Sequence, residues 1–331
     1  MRKARRILLI CLVFLIAVNL AGCMQSGGND SMRNASNDHS NAAAKPEIPA
    51  ELEVNEDGMP MLAVYDLSIE EVSDMDIETY VMGVVAGEMK NDWPMEALKA
   101  QAILARTFVL KFCQDKSSKY DDADISTDVT EAQAYSYENI NDRVRQAVEE
   151  TRGLVMSADG EYPYAWFHAH AGGMTELPSV ALDFKGEDPE YLKPTKSEES
   201  DQAPDSVKSW SASFTKSEVA QACSDAGVKI QNVESIEIGE KGDSGRAATL
   251  KINKQDVSAP SFRIQIGANK LKSTLIDDIK VEGDTITFTG KGYGHGVGMS
   301  QWGAYQMAES GSNAEAIVEY YFPGVDIVEM W

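Results

Sequence analysis

Basic residues are scarce in this chain. Its 331 residues carry 30 Lys and Arg against 53 Asp and Glu, a formal net charge of -23. A surface this acidic repels phosphates and anionic headgroups, which argues against general nucleic-acid binding. Cysteine is scarce too: four in all, too few for a disulfide scaffold. There is no H-E-x-x-H, no Walker A spacing and no internal repeat. The stretch Gly290–Gly298 has a glycine at every second position. His295, Val297 and Met299 occupy the places where G-x-G-x-x-G needs its third glycine, so nucleotide binding is unsupported. The length and the 43% hydrophobic content allow one large or two modest domains with a real core.

What is present begins at the N-terminus. Arg2, Lys3, Arg5 and Arg6 precede an apolar run, Ile7 to Leu20. The run is shorter than the roughly 20 residues of a comfortable membrane span and reads as a secretory signal. Leu20-Ala21-Gly22-Cys23 resembles a bacterial lipobox, so Cys23 is the expected lipidation site and mature N-terminus. An uncleaved signal anchor is the alternative. The expected organisation is a signal peptide over 1–22, a lipid-anchored flexible tether over 23–60, and an exported domain over 61–331 at the outer face of the membrane. Loss of 1–22 removes four bases and no acid, taking -23 to -27. Cys113 and Cys223 then remain as thiols, paired or unpaired.

The tether is rich in Ser, Asn, Gly, Ala and acid, without hydrophobic period, and order is expected from near Met61. A strand is expected at 61–67 and a helix at 77–88, where Ile77, Val81, Val84 and Val85 recur at helical spacing. Pro94 opens a helix to about Gln114 that is apolar nearly all round, hence central and buried. A helix over 141–152 stops at Gly153. Asp159-Gly160 predicts a hairpin of 154–158 with 161–167. A polar, proline-bearing stretch, 186–206, reads as a surface excursion. A second hairpin is expected at 233–238 and 247–252, a strand at 285–289, and a helix over 300–309 ending at Gly311. Helices cluster early and antiparallel strands late, so the class is α+β.

Glu88 is the residue that breaks the local rules. It continues the stripe of Ile77, Val81 and Val84, where an apolar residue is expected, and it stands in the last helical turn, where the dipole disfavours an anion. Both effects raise its pKa, and a carboxylic acid still protonated near neutrality suits general acid chemistry. A frayed end with Glu88 in water is the plainer alternative. Lys99 and Arg106 share one face of the central helix, and Arg106 needs an anionic partner, perfectly well supplied by a structural salt bridge. His168 and His170 are two apart, a spacing that suits zinc, yet no Cys lies near them. Polar contacts to substrate are therefore the preferred reading. The alternating glycines let backbone approach a ligand or another strand, and His295 in their midst either touches a ligand or braces the loop. Tyr135, Tyr137, Tyr162, Tyr164, Trp166, Trp302 and Tyr305 offer faces for sugar rings, or simply core.

Several stretches together resemble the stage II sporulation protein D family (SpoIID). They are ETYVMGVVAGEM at 78–89, EALKAQAILART at 96–107, TEAQAY at 130–135, FHAHAGG at 167–173, SGR at 244–246 and GKGYGHGVGMSQWGA at 290–304. The resemblance spans about 61–331. It implies a lytic transglycosylase of peptidoglycan acting in engulfment during endospore formation, with Glu88 as the catalytic acid/base and a preference for strands stripped of stem peptides. It implies a substrate groove between the core and an inserted subdomain, with Lys99, Arg106, Gln133, Tyr135, His168, Gly172, Gly294, His295 and Gln301 as substrate-binding residues. No metal or other cofactor is implied. The implied partners are a SpoIIP-like amidase/endopeptidase and a SpoIIM-like membrane protein, at the mother-cell membrane. Two departures stand out: a lipid on Cys23 replaces the transmembrane anchor common in the family, and His170 with its alanines occupies positions where small hydroxyl residues are expected. A non-catalytic amidase enhancer is the alternative.

Overall fold

The computed structural model describes residues 43–331. The signal peptide and Cys23 lie outside the described residues. Order begins before Met61. Pro46, Pro49, Leu52 and Met59 are buried, and β1 (Glu53–Val54) pairs with β2 (Pro60–Asp66). The expected tether from Pro46 onward therefore belongs to the folded domain, because those few apolar side chains find a surface to cover.

β2 pairs antiparallel with β3 (Glu71–Asp76) and in parallel with β4 (Ile125–Ser126). Asp76 caps α1 (Ile77–Glu88) by accepting from the Thr79 N–H at 2.9 Å. The helix ends where Met89 turns extended. Its stripe of Ile77, Val81, Val84 and Val85 is wholly buried. α2 (Met95–Asp115) is the central helix, and α1, α3 (Asp142–Glu150) and β5 (Leu154–Ser157) pack on it. Arg106 and Glu78 meet inside this packing. Arg106 Nε and Nη2 donate to the two Glu78 oxygens at 3.1 and 2.6 Å, and both residues are buried.

The expected first hairpin is cut short. Asp159 and Gly160 do take positive φ and close a tight turn, but pairing stops after the Ala158–Glu161 bridge. Pro163 lacks a ladder donor, and β5 pairs instead with the C-terminal strand. The chain continues through β6 (Phe167–His168), α4 (Pro178–Ala181) and α5 (Asp205–Lys208). The stretch 186–206 is largely exposed, as its composition suggests, but it is stitched to the core at four points. Leu192, Ser197, Ser200 and Ala203 are buried in it, held by Ser197 N–H to Gly173 O and Ser200 N–H to Trp302 O. Backbone bonding rather than side-chain hydrophobicity draws these points of a polar segment inward.

An insertion with its own apolar core follows. It comprises β7 (Trp210–Thr215), α6 (Lys216–Asp225), β8 (Ile236–Ile238), β9 (Thr249–Ile252), β10 (Gln255–Ser258), α7 (Ala259–Gly267), β11 (Ile276–Glu282) and β12 (Thr285–Gly290). The sheets run β10-β9-β8 and β11-β12-β7, both antiparallel, and the expected second hairpin is β8–β9. Phe214, Phe262, Ile286 and Phe288 fill the space between them and the helices. The chain then re-enters the first core as β13 (Met299–Ser300), parallel to β6. It ends with α8 (Gln301–Glu309), α9 (Ala314–Tyr321) and β14 (Asp326–Glu329), which pairs with β5. The class is α+β, as the order of elements implies. Cys113 and Cys223 are free, one in each core. Among the described residues, no helix is long and apolar enough to cross a membrane.

Removing Arg106 would strand the Glu78 carboxylate in the core. Arg106→Met is expected to lower the unfolding free energy by about 3–5 kcal/mol, read from urea denaturation. A residue serving only as a substrate contact would cost well under about 1 kcal/mol.

Candidate active site

Glu88 closes α1, and what surrounds it is set by two glycines. Gly83 and Gly87 lie one turn apart on α1, bare of side chains. A Cβ at Gly83 would run into the Tyr135 ring, and one at Gly87 would sit 2.6 Å from the Tyr135 nitrogen. The segment 133–136 therefore crosses directly over the helix, pinned by the Ser136 N–H donating to Gly83 O at 2.9 Å. This crossing brings the Ala134 N–H to the Glu88 Oε1 at 2.7 Å. From the other side, Gln301 at the start of α8 donates its amide to the Glu88 backbone carbonyl at 3.3 Å and to Gln101 Oε1 at 3.4 Å.

The carboxyl is half-buried. Burial raises its pKa from the ordinary 4.5 to about 6, and the hydrogen bonds from Ala134 and Gln301 hold the rise back. Of the residues expected at the site, Gln301, Tyr135 and Gln133 belong to this neighbourhood. Tyr135 lies half-buried across Gly83, 5.7 Å from the Tyr80 ring. Gln133 is buried beneath, its amide donating to Ala105 O at 3.5 Å.

Lys99 and Arg106 do not belong to it. Arg106 is sealed in the core and also donates to Leu154 O, so it has no surface to offer a ligand. Lys99 bridges Glu96 at 2.8 Å and Glu150 at 2.6 Å, joining α2 to α3. Arg106 acts as a brace rather than the expected substrate contact, and Lys99 is engaged by two carboxylates.

The glycine-rich loop serves close backbone packing. Gly294 has φ +106°, and a Cβ there would lie 2.7 Å from the His168 Cβ. Gly172, with φ +74°, would crowd Leu275 in the same way. The loop is laced to β6 and its extension by reciprocal hydrogen bonds between His170 and Tyr293. The peptide of Val297 settles both histidine tautomers. Its N–H donates to His295 Nδ1 at 3.0 Å, which puts the His295 proton on Nε2. Its carbonyl lies 3.1 Å from His168 Nδ1, which must therefore carry the proton. Burial lowers both pKa values, His295 to about 3 and His168 well below its ordinary value, so both are neutral braces of the loop. Among the described residues, no group of three or more His, Cys, Asp or Glu is arranged to hold a metal ion.

Sequence reasoning missed two carboxylates, Glu176 toward the insertion and Glu199 within the first core, and the guanidinium of Arg246. Glu176 accepts from the Ser244 N–H at 2.9 Å and its hydroxyl at 2.7 Å. Arg246, wholly buried, donates to Met174 O and Ala171 O. Glu199 holds Ser300 Oγ and the Ala171 N–H. Its surroundings in sequence are polar and gave no signal, whereas Gln101, an amide on an all-apolar helix, did offer one.

Residues 65–157 match the family model described as Stage II sporulation protein, SpoIID. Stage II sporulation protein D of Bacillus subtilis is 32% identical over 282 residues, covering 81% of this chain and 79% of that protein. The chain belongs to the SpoIID family. An uncharacterized protein of Brachyspira hyodysenteriae is 34% identical over 278 residues, 82% of this chain and 72% of its own length. An amidase enhancer of Bacillus subtilis is 29% identical over 289 residues, 74% of this chain but 40% of that longer protein. Residues 183–298 match a second model, described as a domain of unknown function, which spans the whole insertion and stops just short of β13. The SpoIID model thus covers α1, α2 and the Ala134 crossing, the parts that assemble the surroundings of Glu88.

A raised carboxyl pKa makes ionisation costly to the fold. Below pH 4.5 Glu88 is protonated in the folded and unfolded states alike and costs nothing. The cost grows between pH 4.5 and about 6 and stays constant above. Glu88→Gln is therefore expected to stabilise this SpoIID-family chain by about 1–2 kcal/mol at pH 8 and to leave it unchanged at pH 4, as read by urea denaturation at each pH.

Proposed function

We propose that this chain acts on the bacterial cell wall in sporulation, as a lytic transglycosylase of peptidoglycan. Its family membership and its relative named Stage II sporulation protein D support the wall and sporulation role. The half-buried Glu88, with its pKa near 6 at the end of α1, carries the enzymatic reading.

One carboxyl suffices for the route. Protonated Glu88 gives its proton to the glycosidic oxygen leaving C1 of N-acetylmuramic acid, and the bond breaks. The resulting carboxylate takes the proton of the C6 hydroxyl of the same sugar. That oxygen closes on C1, giving a 1,6-anhydro end, and Glu88 is protonated again. Acid-base transfer of this kind supplies about 10²–10⁴-fold, and positioning of the strand supplies the rest. Denuded strands are the proposed substrate. The proposed setting is the outer face of the mother-cell membrane, with a lipid on Cys23, beside a SpoIIP-like amidase and a SpoIIM-like membrane protein.

The relative named amidase enhancer favours a second reading, in which the domain activates a wall amidase without cutting glycan itself. One assay separates the two. Purified denuded glycan is digested with the full-length chain in detergent, and the ends are identified by mass. Wild type is expected to release 1,6-anhydro ends, and Glu88→Gln, checked for folding, none. Wild-type kcat/KM should fall about tenfold per pH unit above pH 6 as Glu88 loses its proton. Equal release by both proteins would remove Glu88 from catalysis, and reducing ends would mean hydrolysis.

A further inference from the structure

The central helix carries one amide among apolar neighbours. Gln101 on α2 is wholly buried. Ala97, Leu98, Leu104 and Ala105, which share its face one turn away, are buried with it. Its Oε1 accepts from Gln301 Nε2 at 3.4 Å. Its own Nε2 is buried and has no hydrogen-bond partner in the protein. An amide kept in the core with its donor end unmet is costly, and a Leu or Met of similar size would carry no such cost. What Gln101 supplies against that cost is its oxygen end, and Gln301 uses it.

Gln301 opens α8 and reaches two acceptors with one nitrogen. Besides Gln101 Oε1, its Nε2 donates to Glu88 O at 3.3 Å. α1 ends at Glu88, so that carbonyl has no N–H ahead of it in the helix, and it can only accept. The two ends of a Gln amide have nearly the same shape and opposite hydrogen-bonding character. Turned over, Gln301 would set its oxygen against the Glu88 carbonyl and against Gln101 Oε1. The carbonyl and Gln101 therefore select the same end. Both bonds are at the long end of the range, so neither alone holds the amide firmly.

The nitrogen end of Gln301 also acts on the Glu88 carboxyl. Burial raises the carboxyl pKa, the Ala134 N–H lowers it, and the Gln301 amide lowers it further. Gln101 makes no hydrogen bond to the carboxyl, so any influence it has passes through Gln301. Tyr80, which shares α1 with Glu88 and feels its charge, is held by burial well above its ordinary value of 10.0 and stays neutral.

We propose that Gln101 is a positioning residue for Glu88. By presenting Oε1 to the Gln301 amide, it locks that amide nitrogen-first against the end of α1. The lock keeps a donor beside the carboxyl when the proton leaves it. Its part in the reaction rests on the transglycosylase reading above.

The test reads the carboxyl directly. Full-length protein in detergent is labelled with carbon-13 at the glutamate carboxyls, and the Glu88 line is identified by its loss in Glu88→Gln. Gln101→Met should raise the midpoint of that line from about 6 by about half a pH unit in an NMR titration. Gln301→Ala should raise it at least as much. The double variant should rise no further than Gln301→Ala, because Gln101 works through Gln301. Gln101→Ala, which removes the oxygen without adding bulk, repeats the titration, so the result does not depend on how Met fits. An unmoved midpoint in both Gln101 variants, or shifts that add in the double variant, would overturn the positioning role. The transglycosylase reading is tested separately, by kcat/KM on denuded glycan, whose alkaline limb should move with the NMR midpoint. A limb that stays while the midpoint moves would remove Glu88 from catalysis and leave the positioning of its carboxyl standing.

Discussion

The buried pair of Arg106 and Glu78 is the constraint on which the first core depends. Two charges withdrawn from water are tolerated only when every remaining donor and acceptor is met. Here they nearly all are. Glu78 also accepts from the Gly153 N–H and from Trp331 Nε1, and Arg106 Nη1 donates to Leu154 O. One ion pair thus ties α1 to α2, to the start of β5 and to the last residue of the chain. It lies in the first turn of α1, and Glu88 lies in the last, ten residues on, about 15 Å along the axis. Anchoring one end of a rigid helix so firmly fixes where the other end presents its carboxyl.

Missing side chains do the rest of the positioning. At Gly83 and Gly87 the absence of Cβ lets the 133–136 segment lie on α1 closely enough for a backbone N–H to reach Glu88. At Gly292, Gly294, Gly296 and Gly298, all with positive φ, the returning chain lies flat against β6 and its neighbours. A Cβ at Gly296 would run into the Arg246 guanidinium from the insertion. These glycines let the return segment touch the core and the insertion together, and they deliver Ser300 to Glu199 and Gln301 to Glu88. The insertion is held at this seam by buried polar contacts, Arg246 to two carbonyls and Glu176 to Ser244, rather than by a shared apolar face.

Much of this was legible in the sequence. Where apolar periodicity was strong, as at Ile77–Glu88, or an opening proline joined an apolar run, as at Met95–Asp115, the element formed within a residue or two of its expected bounds. Glu88 was legible because a carboxylate in an apolar stripe breaks a local rule. The roles of Lys99 and Arg106 were not, since a buried cation looks the same in sequence whether its partner is a ligand or a carboxylate such as Glu78 that lies 28 residues away. The inward points of 186–206 were hidden for a related reason. They are drawn in by backbone hydrogen bonds, which composition does not record. The failed hairpin at Asp159-Gly160 shows the reverse: the turn chemistry was right, yet a competing partner strand and one proline decided the pairing.

The opposing influences on Glu88 suit the two tasks proposed for it. Burial alone would push a carboxyl far up, toward values at which it gives a proton with difficulty. A carboxylate fully satisfied by donors would sit near or below 4 and rarely hold one. Here one backbone N–H and one side-chain amide offset part of the burial and leave the group near 6. A residue that must donate a proton and then take one back within a single turnover works best when neither form is strongly favoured. The backbone donor is the more telling of the two. Ala134 offers its N–H whatever its side chain, and the crossing that aims it depends on the bare surface of Gly83 and Gly87. Burial at its own position raises the Glu88 pKa, and two glycines on the same helix decide how much of that rise the backbone donor takes back.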